Sequence, residues 1–218
     1  MLTGPSLSPT LVGSLAAALS AAGSIAPSAD VLAVKLILAL CVHKTELLLA
    51  YWEEFDVDGR SGRGPIWELP ARCSKSGDAP IIPLAPQVLA WLKELKGLSR
   101  DSSTLFPQYL LKGSTHRSPF ELNKLQGRLQ RIPTWPEGLR LEELPLLARA
   151  YLEHTPIPPE ITERCFGYEP RNSIPFHGRA YFSEQRAPLC HWAYMLEGAF
   201  SHAAMPAPLH VDTLACAI

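Results

Sequence analysis

Apolar residues recur at helical spacing over most of the chain. They do so in a small-residue segment from Ser8 to Ala22 and again from Ser28 to about Leu49, where Ser28-Ala29-Asp30 offers capping side chains at the start. We therefore predict two N-terminal helices. The same spacing predicts further helices over Gln87 to Lys96, Pro119 to Ile132, Glu142 to Glu153, Pro159 to Phe166 and Gln185 to Phe200.

The pattern changes between residues 55 and 84, where three short apolar runs are separated by turn residues. The runs are Phe55 to Val57, Ile66 to Pro70 and Ile81 to Leu84, and Asp58-Gly59 and Ser76-Gly77-Asp78 mark turns between them. Short strands joined by tight turns are typical of an antiparallel meander. The sequence thus predicts a mainly α fold with a small three-stranded antiparallel β-sheet, an α+β protein.

The composition excludes some classes of protein. The chain has 218 residues, of which 47% are hydrophobic and 19% charged, and its formal net charge is −1. Disordered chains combine low hydrophobicity with high net charge, so we expect a folded chain with a core of its own. Nucleic-acid-binding domains usually carry a basic excess, and the total charge does not show one.

The cysteines and apolar segments give no sign of export or of a bound metal. Five scattered cysteines form no C-x-x-C pair, so we predict reduced thiols without disulfides or a zinc site. The apolar stretch from Leu11 to Ala22 lacks a preceding positive charge, and Val31 to Val42 is shorter than the roughly 20 residues of a membrane span. Cofactor-binding motifs are also absent. We therefore predict a soluble cytoplasmic protein with no cofactor and no membrane partner.

Several short motifs follow one another along the chain. They are Leu38-Ala39-Leu40, Thr45 to Leu48, Trp52 to Asp56, Lys75-Ser76-Gly77, Ile81 to Leu84, Leu105-Phe106-Pro107, Ile157 to Ile161, and Tyr181 to Arg186 leading into Trp192-Ala193. In this order and spacing they resemble the catalytic domain of the tyrosine recombinase family, the phage integrases. The resemblance implies an N-terminal helix or extension at 1–27, an integrase catalytic-like domain at 28–200 and a C-terminal tail at 201–218.

The resemblance also implies a set of catalytic positions. In the family, two arginines and two histidine-like groups hold the scissile phosphate, a lysine protonates the leaving 5′ hydroxyl, and a tyrosine attacks the phosphorus. Most of these residue types are missing from the matching positions. Those positions are His43 for the first arginine, Lys75 for the lysine, Leu141 and Leu144 for the second histidine–arginine motif, Tyr168 for the next histidine or tryptophan, and Phe176 or His177 for the nucleophile.

The substitutions argue against the family's chemistry. Leu141 and Leu144 replace two groups that bind a phosphate, and the two glutamates between them would repel one. Removing a single preorganised donor commonly lowers a rate by about 10²–10³, so we expect an integrase-like fold without strand cleavage. Tyr168 and Tyr181 leave open an active recombinase with displaced nucleophiles.

The segment from Lys112 to Arg131 is the best indication of a DNA contact. It contains one acidic residue and five basic ones, namely Lys112, Arg117, Lys124, Arg128 and Arg131. The last three follow i, i+4, i+7 spacing, which places a basic stripe beside the leucine stripe of one helix. With Lys75 they form the candidate DNA-binding set. An ordinary amphipathic helix with a solvated basic face remains the alternative.

Other residues also have two interpretations. His43 either contacts a phosphate or is a satisfied core or rim residue of its helix, and Lys75 either contacts DNA or is an exposed hairpin lysine. Arg60 and Arg63 are most simply part of a solvated loop. The apolar stripe of the last helix is most simply core, although in the family this helix docks on a neighbouring protomer.

Three hypotheses about function follow from these observations. The leading one is a catalytically inactive integrase-fold protein that binds DNA, or docks on a related recombinase or a second copy of itself, in a recombination, mobile-element or regulatory setting. The others are an active site-specific recombinase with displaced residues and a protein-interaction scaffold without DNA binding.

Overall fold

The computed structural model describes residues 9–22, 25–70, 81–109, 119–166 and 182–202. Its helices are α1 (Pro9–Ala21), α2 (Ser28–Leu40), α3 (Lys44–Leu48), α4 (Pro86–Ser99), α5 (Pro119–Leu129), α6 (Leu144–Leu152), α7 (Pro159–Cys165) and α8 (Phe182–His202). Short 3-10 helices lie at Trp52–Glu54, Pro107–Tyr109 and Leu141–Glu143. Within these ranges, no helix has both the length and the apolar character required to cross a bilayer.

The sheet is the predicted antiparallel meander. Strands β1 (Phe55–Asp56), β2 (Ile66–Glu68) and β3 (Ile81–Pro83) lie in the order β1-β2-β3, and both neighbouring pairs are antiparallel. Trp67 in the central strand is fully buried, and its ring stacks on that of Phe55 with centroids 4.8 Å apart. The predicted α+β class, mainly helical with a small three-stranded sheet, is therefore confirmed. The turn at residues 76–78 lies outside the described residues.

The prediction of one helix from Ser28 to about Leu49 is wrong. Helix α2 ends at Leu40, the next residue Cys41 has the left-handed φ of 57°, and α3 begins at Lys44. At this break the Leu38 carbonyl accepts hydrogen bonds from the Cys41 amide at 3.3 Å and from the indole Nε1 of Trp192 at 2.7 Å. In a continuous helix, the Leu38 carbonyl would accept from the amide four residues later, and here the Trp192 side chain of α8 takes that role. This exchange explains why the helix stops at Leu40 although apolar residues continue at helical spacing to about Leu49.

Helix α8 crosses the centre of the core. Its predicted apolar stripe is buried, as expected for core residues: Trp192, Met195, Leu196 and Ala199. The Trp192 ring lies 4.7 Å from that of Tyr151 in α6, and the Ser20 hydroxyl of α1 donates to the Phe200 carbonyl at 3.2 Å. The extended tail predicted from Ser201 is wrong for its first two residues, because α8 continues to His202. Residues 203–218 lie outside the described part of the chain.

The first turns of α8 are attached differently from the rest. Glu184 pairs with Arg164 at 3.1 Å, Gln185 donates to the Arg164 carbonyl at 3.1 Å, and Arg186 donates to the Arg63 carbonyl at 2.9 Å. These bonds join the helix to α7 and to the loop between β1 and β2. Pro188 follows inside the helix and has no amide hydrogen for the carbonyl four residues before it.

A buried ion pair joins α2 to α5. The side chain of Asp30, in the first turn of α2, is 1% exposed, and the Arg128 side chain is 29% exposed. Arg128 Nε lies 2.5 Å from one carboxylate oxygen of Asp30, and Nη2 lies 3.1 Å from the other. This two-pronged geometry suits a guanidinium and a carboxylate, and it gives the buried negative charge a counter-charge.

Replacing Arg128 by methionine is expected to lower the free energy of unfolding by about 3 kcal/mol, because the buried Asp30 carboxylate would lose its two-pronged contact with the guanidinium. Urea unfolding at neutral pH measures this change. The matched control is Arg131→Met, which alters an exposed side chain and should change the free energy by less than about 0.5 kcal/mol. Equal stability of the two variants would contradict a structural role for Arg128.

Candidate functional site

Only part of the predicted site falls within the described residues. The structure describes His43, Leu141, Leu144, Lys124, Arg128 and Arg131. The remaining candidates lie outside it: Lys75, Lys112, Arg117, Tyr168, Phe176, His177 and Tyr181. The structure therefore describes three regions of the candidate site: the first-arginine position at His43, the second motif at Leu141 and Leu144, and the basic residues in and just after α5.

The structure brings the first two of these regions together. The Lys44 ammonium at the start of α3 lies 2.6 Å from Glu142 Oε1 in the 3-10 helix at Leu141–Glu143. The Lys44 side chain is only 8% exposed, so its contact with Glu142 lies at the edge of the core. One ion pair thus joins two segments that are distant in sequence. Both segments contain positions that match phosphate-binding residues of the integrase family in the sequence analysis.

His43 is the cap of α3. Its Nδ1 lies 2.9 Å from the Thr45 hydroxyl and 3.5 Å from the Thr45 amide, while its own amide donates to Glu46 Oε2 at 2.7 Å. The residue is exposed. The expectation that it lies inside a helix is therefore wrong: it precedes α3, and reciprocal bonds of this kind satisfy amides at a helix start.

Leu141 and Leu144 point into the core. Neither residue has measurable exposure, and both belong to the main apolar cluster. The backbone around them is held by Gln126 of α5, whose amide oxygen accepts from the Leu141 amide at 2.8 Å and whose amide nitrogen donates to the Leu139 carbonyl at 3.1 Å. These two positions supply apolar contacts and no side-chain donor, so they do not form an anion clamp.

The charged residues beside them neutralise one another. Glu142 Oε2 lies 3.6 Å from Arg140 Nε, and Lys44 Nζ lies 3.5 Å from Asn123 Oδ1. Burial raises the pKa of the Glu142 carboxyl, but the hydrogen bond from Lys44 and the charges of Lys44 and Arg140 outweigh this effect and bring the pKa below its ordinary value. At neutral pH, Glu142 is therefore an anion located between two cations.

Sequence reasoning missed the Lys44–Glu142 pair, although a signal was present. Lys44 follows Ile37 and Cys41 at helical spacing in an otherwise apolar row. A lysine in such a row is rarely buried without a partner, so its position calls for a buried or half-buried carboxylate. The sequence does not identify Glu142 as that carboxylate, because the pairing depends on how α3 and the 3-10 helix pack.

The basic stripe on α5 is divided by the fold. Lys124 and Arg131 are exposed, whereas the guanidinium of Arg128 is turned towards Asp30. The leucine stripe on the same helix is buried as predicted at Leu125 and Leu129. Helix α5 ends at Leu129, short of the predicted Ile132, so Arg131 lies in the turn after the helix. Arg128, the middle member of the predicted stripe, contributes to packing between α2 and α5.

The loop between β1 and β2 agrees with its interpretation as a solvated turn. Arg60 is 84% exposed and pairs with Asp58 at 2.6 Å, and Arg63 pairs with Glu68 at 2.5 Å. The Asp56 carboxylate accepts from the amides of Ser61 at 2.7 Å and Arg60 at 2.9 Å. Hydrogen bonds from Ser61 and Arg60 lower the pKa of Asp56 despite the opposing effect of desolvation. These contacts close a turn.

Comparison with known proteins supports a relationship to integrases over part of the chain. The chain is 35% identical over 88 residues to a protein described as "Integrase" from Enterobacteria phage P4, and the alignment covers 35% of this chain. It covers 19% of the phage protein, so the chain spans about a fifth of the length of that relative. No protein-family model matches the chain, and no solved structure matches it.

The lowered pKa of Glu142 makes a prediction about acid stability. Its ionised form stabilises the fold above the unfolded-state pKa of about 4.5, and this contribution is lost as pH falls through the lower folded-state value. Glu142→Gln should therefore be less stable at neutral pH and lose less stability on acidification. Urea unfolding across this pH range tests both expectations.

Glu153→Gln is the matched control, because it removes a carboxylate that pairs with Arg149 and whose side chain is 52% exposed. Because this ion pair is more exposed to solvent than that of Glu142, its removal should change the stability less than Glu142→Gln does. If Glu142→Gln loses stability on acidification as steeply as Glu153→Gln does, the assigned ionisation is incorrect.

Proposed function

We propose that the protein is an integrase-related DNA-binding protein that does not cleave DNA and that acts in a cytoplasmic recombination or mobile-element setting. The observation that carries the proposal is the burial of Leu141 and Leu144 beside the Lys44–Glu142 ion pair. The similarity to a phage integrase supports the recombination-related setting.

The lack of cleavage follows from the charges at the second motif. Phosphoryl transfer needs preorganised positive groups around the phosphate oxygens. Two leucines without polar side chains lie at the positions that match the histidine and arginine of the family motif, and the neighbouring lysine is paired with a carboxylate. The charge that would stabilise a transition state at these positions is therefore missing or already neutralised.

DNA binding draws its support from the surface at the end of α5. Lys124 and Arg131 are exposed there, and Arg128 holds the same helix to the core through Asp30. Exposed cations on a helix and on the turn that follows it suit contacts with backbone phosphates, which supply salt-dependent affinity without sequence information. Lys75, Lys112 and Arg117 are proposed as further contacts on the strength of the sequence.

A nicked suicide substrate tests the absence of cleavage. Incubation with the protein should give no covalent protein–DNA adduct on a denaturing gel. An adduct that forms and is abolished by Tyr168→Phe or Tyr181→Phe would identify a displaced nucleophile and would establish the active-recombinase alternative. An active integrase on the same substrate serves as the positive control.

The salt dependence of binding to duplex DNA tests the proposal that the protein binds DNA through Lys124 and Arg131. Lys124→Ala with Arg131→Ala should weaken binding and reduce the slope of log affinity against log salt by about 1.8, since each lost phosphate contact removes about 0.9. Arg128 is left intact because its replacement would also disturb the fold.

A control variant, Arg60→Ala with Lys93→Ala, removes the same charge from the β1–β2 loop and α4 and should keep the native slope. An equal loss in both variants would reject α5 as the binding surface. Failure of the native protein to bind at about 50 mM salt would favour the interaction scaffold.

A further inference from the structure

Side-chain exposure increases outwards through the three charged residues at the second motif. The Lys44 side chain is 8% exposed, that of Glu142 is 34% exposed, and that of Arg140 is 68% exposed. The Glu142 carboxylate lies between the two cations, with one oxygen 2.6 Å from Lys44 and the other 3.6 Å from Arg140. The partly exposed Glu142 carboxylate thus covers the nearly buried ammonium of Lys44.

The backbone around this carboxylate is held in place, so an external anion that displaced it would have to move only the Glu142 side chain. Leu141 and Leu144, on either side in sequence, are fully buried, and Gln126 holds the Leu141 amide at 2.8 Å. A change of Glu142 rotamer can therefore uncover Lys44 without moving the backbone. The uncovered ammonium would still require an anion, because an isolated buried charge is costly.

We propose that Glu142 is an internal counterion that closes an anion site formed by Lys44 and Arg140, and that the external ligand of this site is a backbone phosphodiester of DNA. The proposal rests on the proposed DNA-binding function. It extends that function, because it makes Glu142 a competitor that limits affinity.

The exchange involves no covalent step. A phosphodiester oxygen takes the position of the carboxylate oxygen at Lys44, and the Glu142 side chain turns into solvent. One negative charge replaces another beside the ammonium, so Lys44 stays paired, and Arg140 offsets part of the repulsion between the phosphate and the displaced carboxylate. Helix α5 already approaches this position, because the exposed Asn123 has its Oδ1 3.5 Å from Lys44 Nζ. DNA on the α5 surface would therefore pass beside the ion pair.

Two variants of the full-length chain open the site in different ways. Glu142→Gln removes the competing charge, and Glu142→Asp keeps the charge but shortens its reach towards Lys44. Both should show a larger rise in thermal midpoint with inorganic phosphate than the native protein, relative to chloride at equal ionic strength. Glu142→Asp keeps the native charge and therefore separates an opened site from a general electrostatic effect.

Binding to duplex DNA supplies the second arm of the test. Glu142→Gln should bind DNA severalfold more tightly than the native protein, with a salt slope steeper by up to about 0.9, because Glu142 keeps this phosphate contact from forming fully in the native protein. The control Glu153→Gln removes a charge just after the end of α6 and should keep the native slope and the native phosphate response. The double variant Lys44→Gln with Glu142→Gln should lose the gains.

The outcomes distinguish this inference from the proposed function. If the native protein binds DNA but Glu142→Gln and Glu142→Asp behave like Glu153→Gln, the inference is overturned and DNA binding stands. If both variants respond to phosphate but no variant binds DNA, the phosphodiester assignment and the DNA-binding function are both rejected. Gains in both arms that depend on Lys44 support the inference.

Discussion

The hydrogen bond from the Trp192 indole to the Leu38 carbonyl is the interaction on which the arrangement around the candidate site depends. It connects α8 to the end of α2 inside the core, where a missing partner would cost more than at the surface. Because α2 ends there, the chain turns at Cys41 and restarts with His43 as a cap. That restart directs Lys44 towards Glu142. A contact among apolar residues thus sets the geometry of a charged site.

Most of the fold follows from local patterns, whereas the charged contacts do not. The helices α4 to α8 and the meander were predictable because burial on one face imposes a period that the sequence displays. The break between α2 and α3 was not predictable, since it depends on a tryptophan from the other end of the chain. The same limit applies to Asp30: it was interpreted as a possible cap, and its partner Arg128 was interpreted as part of a surface stripe. Pairings of this kind require the tertiary structure.

Segment charge is an imperfect guide to surface charge in this protein. Arg128 belongs to the basic segment, yet its guanidinium balances a buried carboxylate of α2. Glu142 belongs to an acidic segment, Glu137 to Arg164, which holds six glutamates and three arginines, yet it neutralises Lys44. Both segments therefore contribute less to the outer electrostatic field than their composition indicates. The net charge of −1 combines ions that face solvent with ions that hold the fold together.

The proline inside α8 has a mechanical consequence. Ahead of Pro188, the helix is held by polar bonds to α7 and to the β1–β2 loop, and after it the helix is embedded in the core around Trp192. The absent backbone bond makes the junction more compliant than a regular turn. A force applied to the β1–β2 loop would pass through Arg186 and bend the helix at this joint. The helix end can therefore tilt with its attached loop while the end of α2, and the charged site beyond it, keeps its geometry.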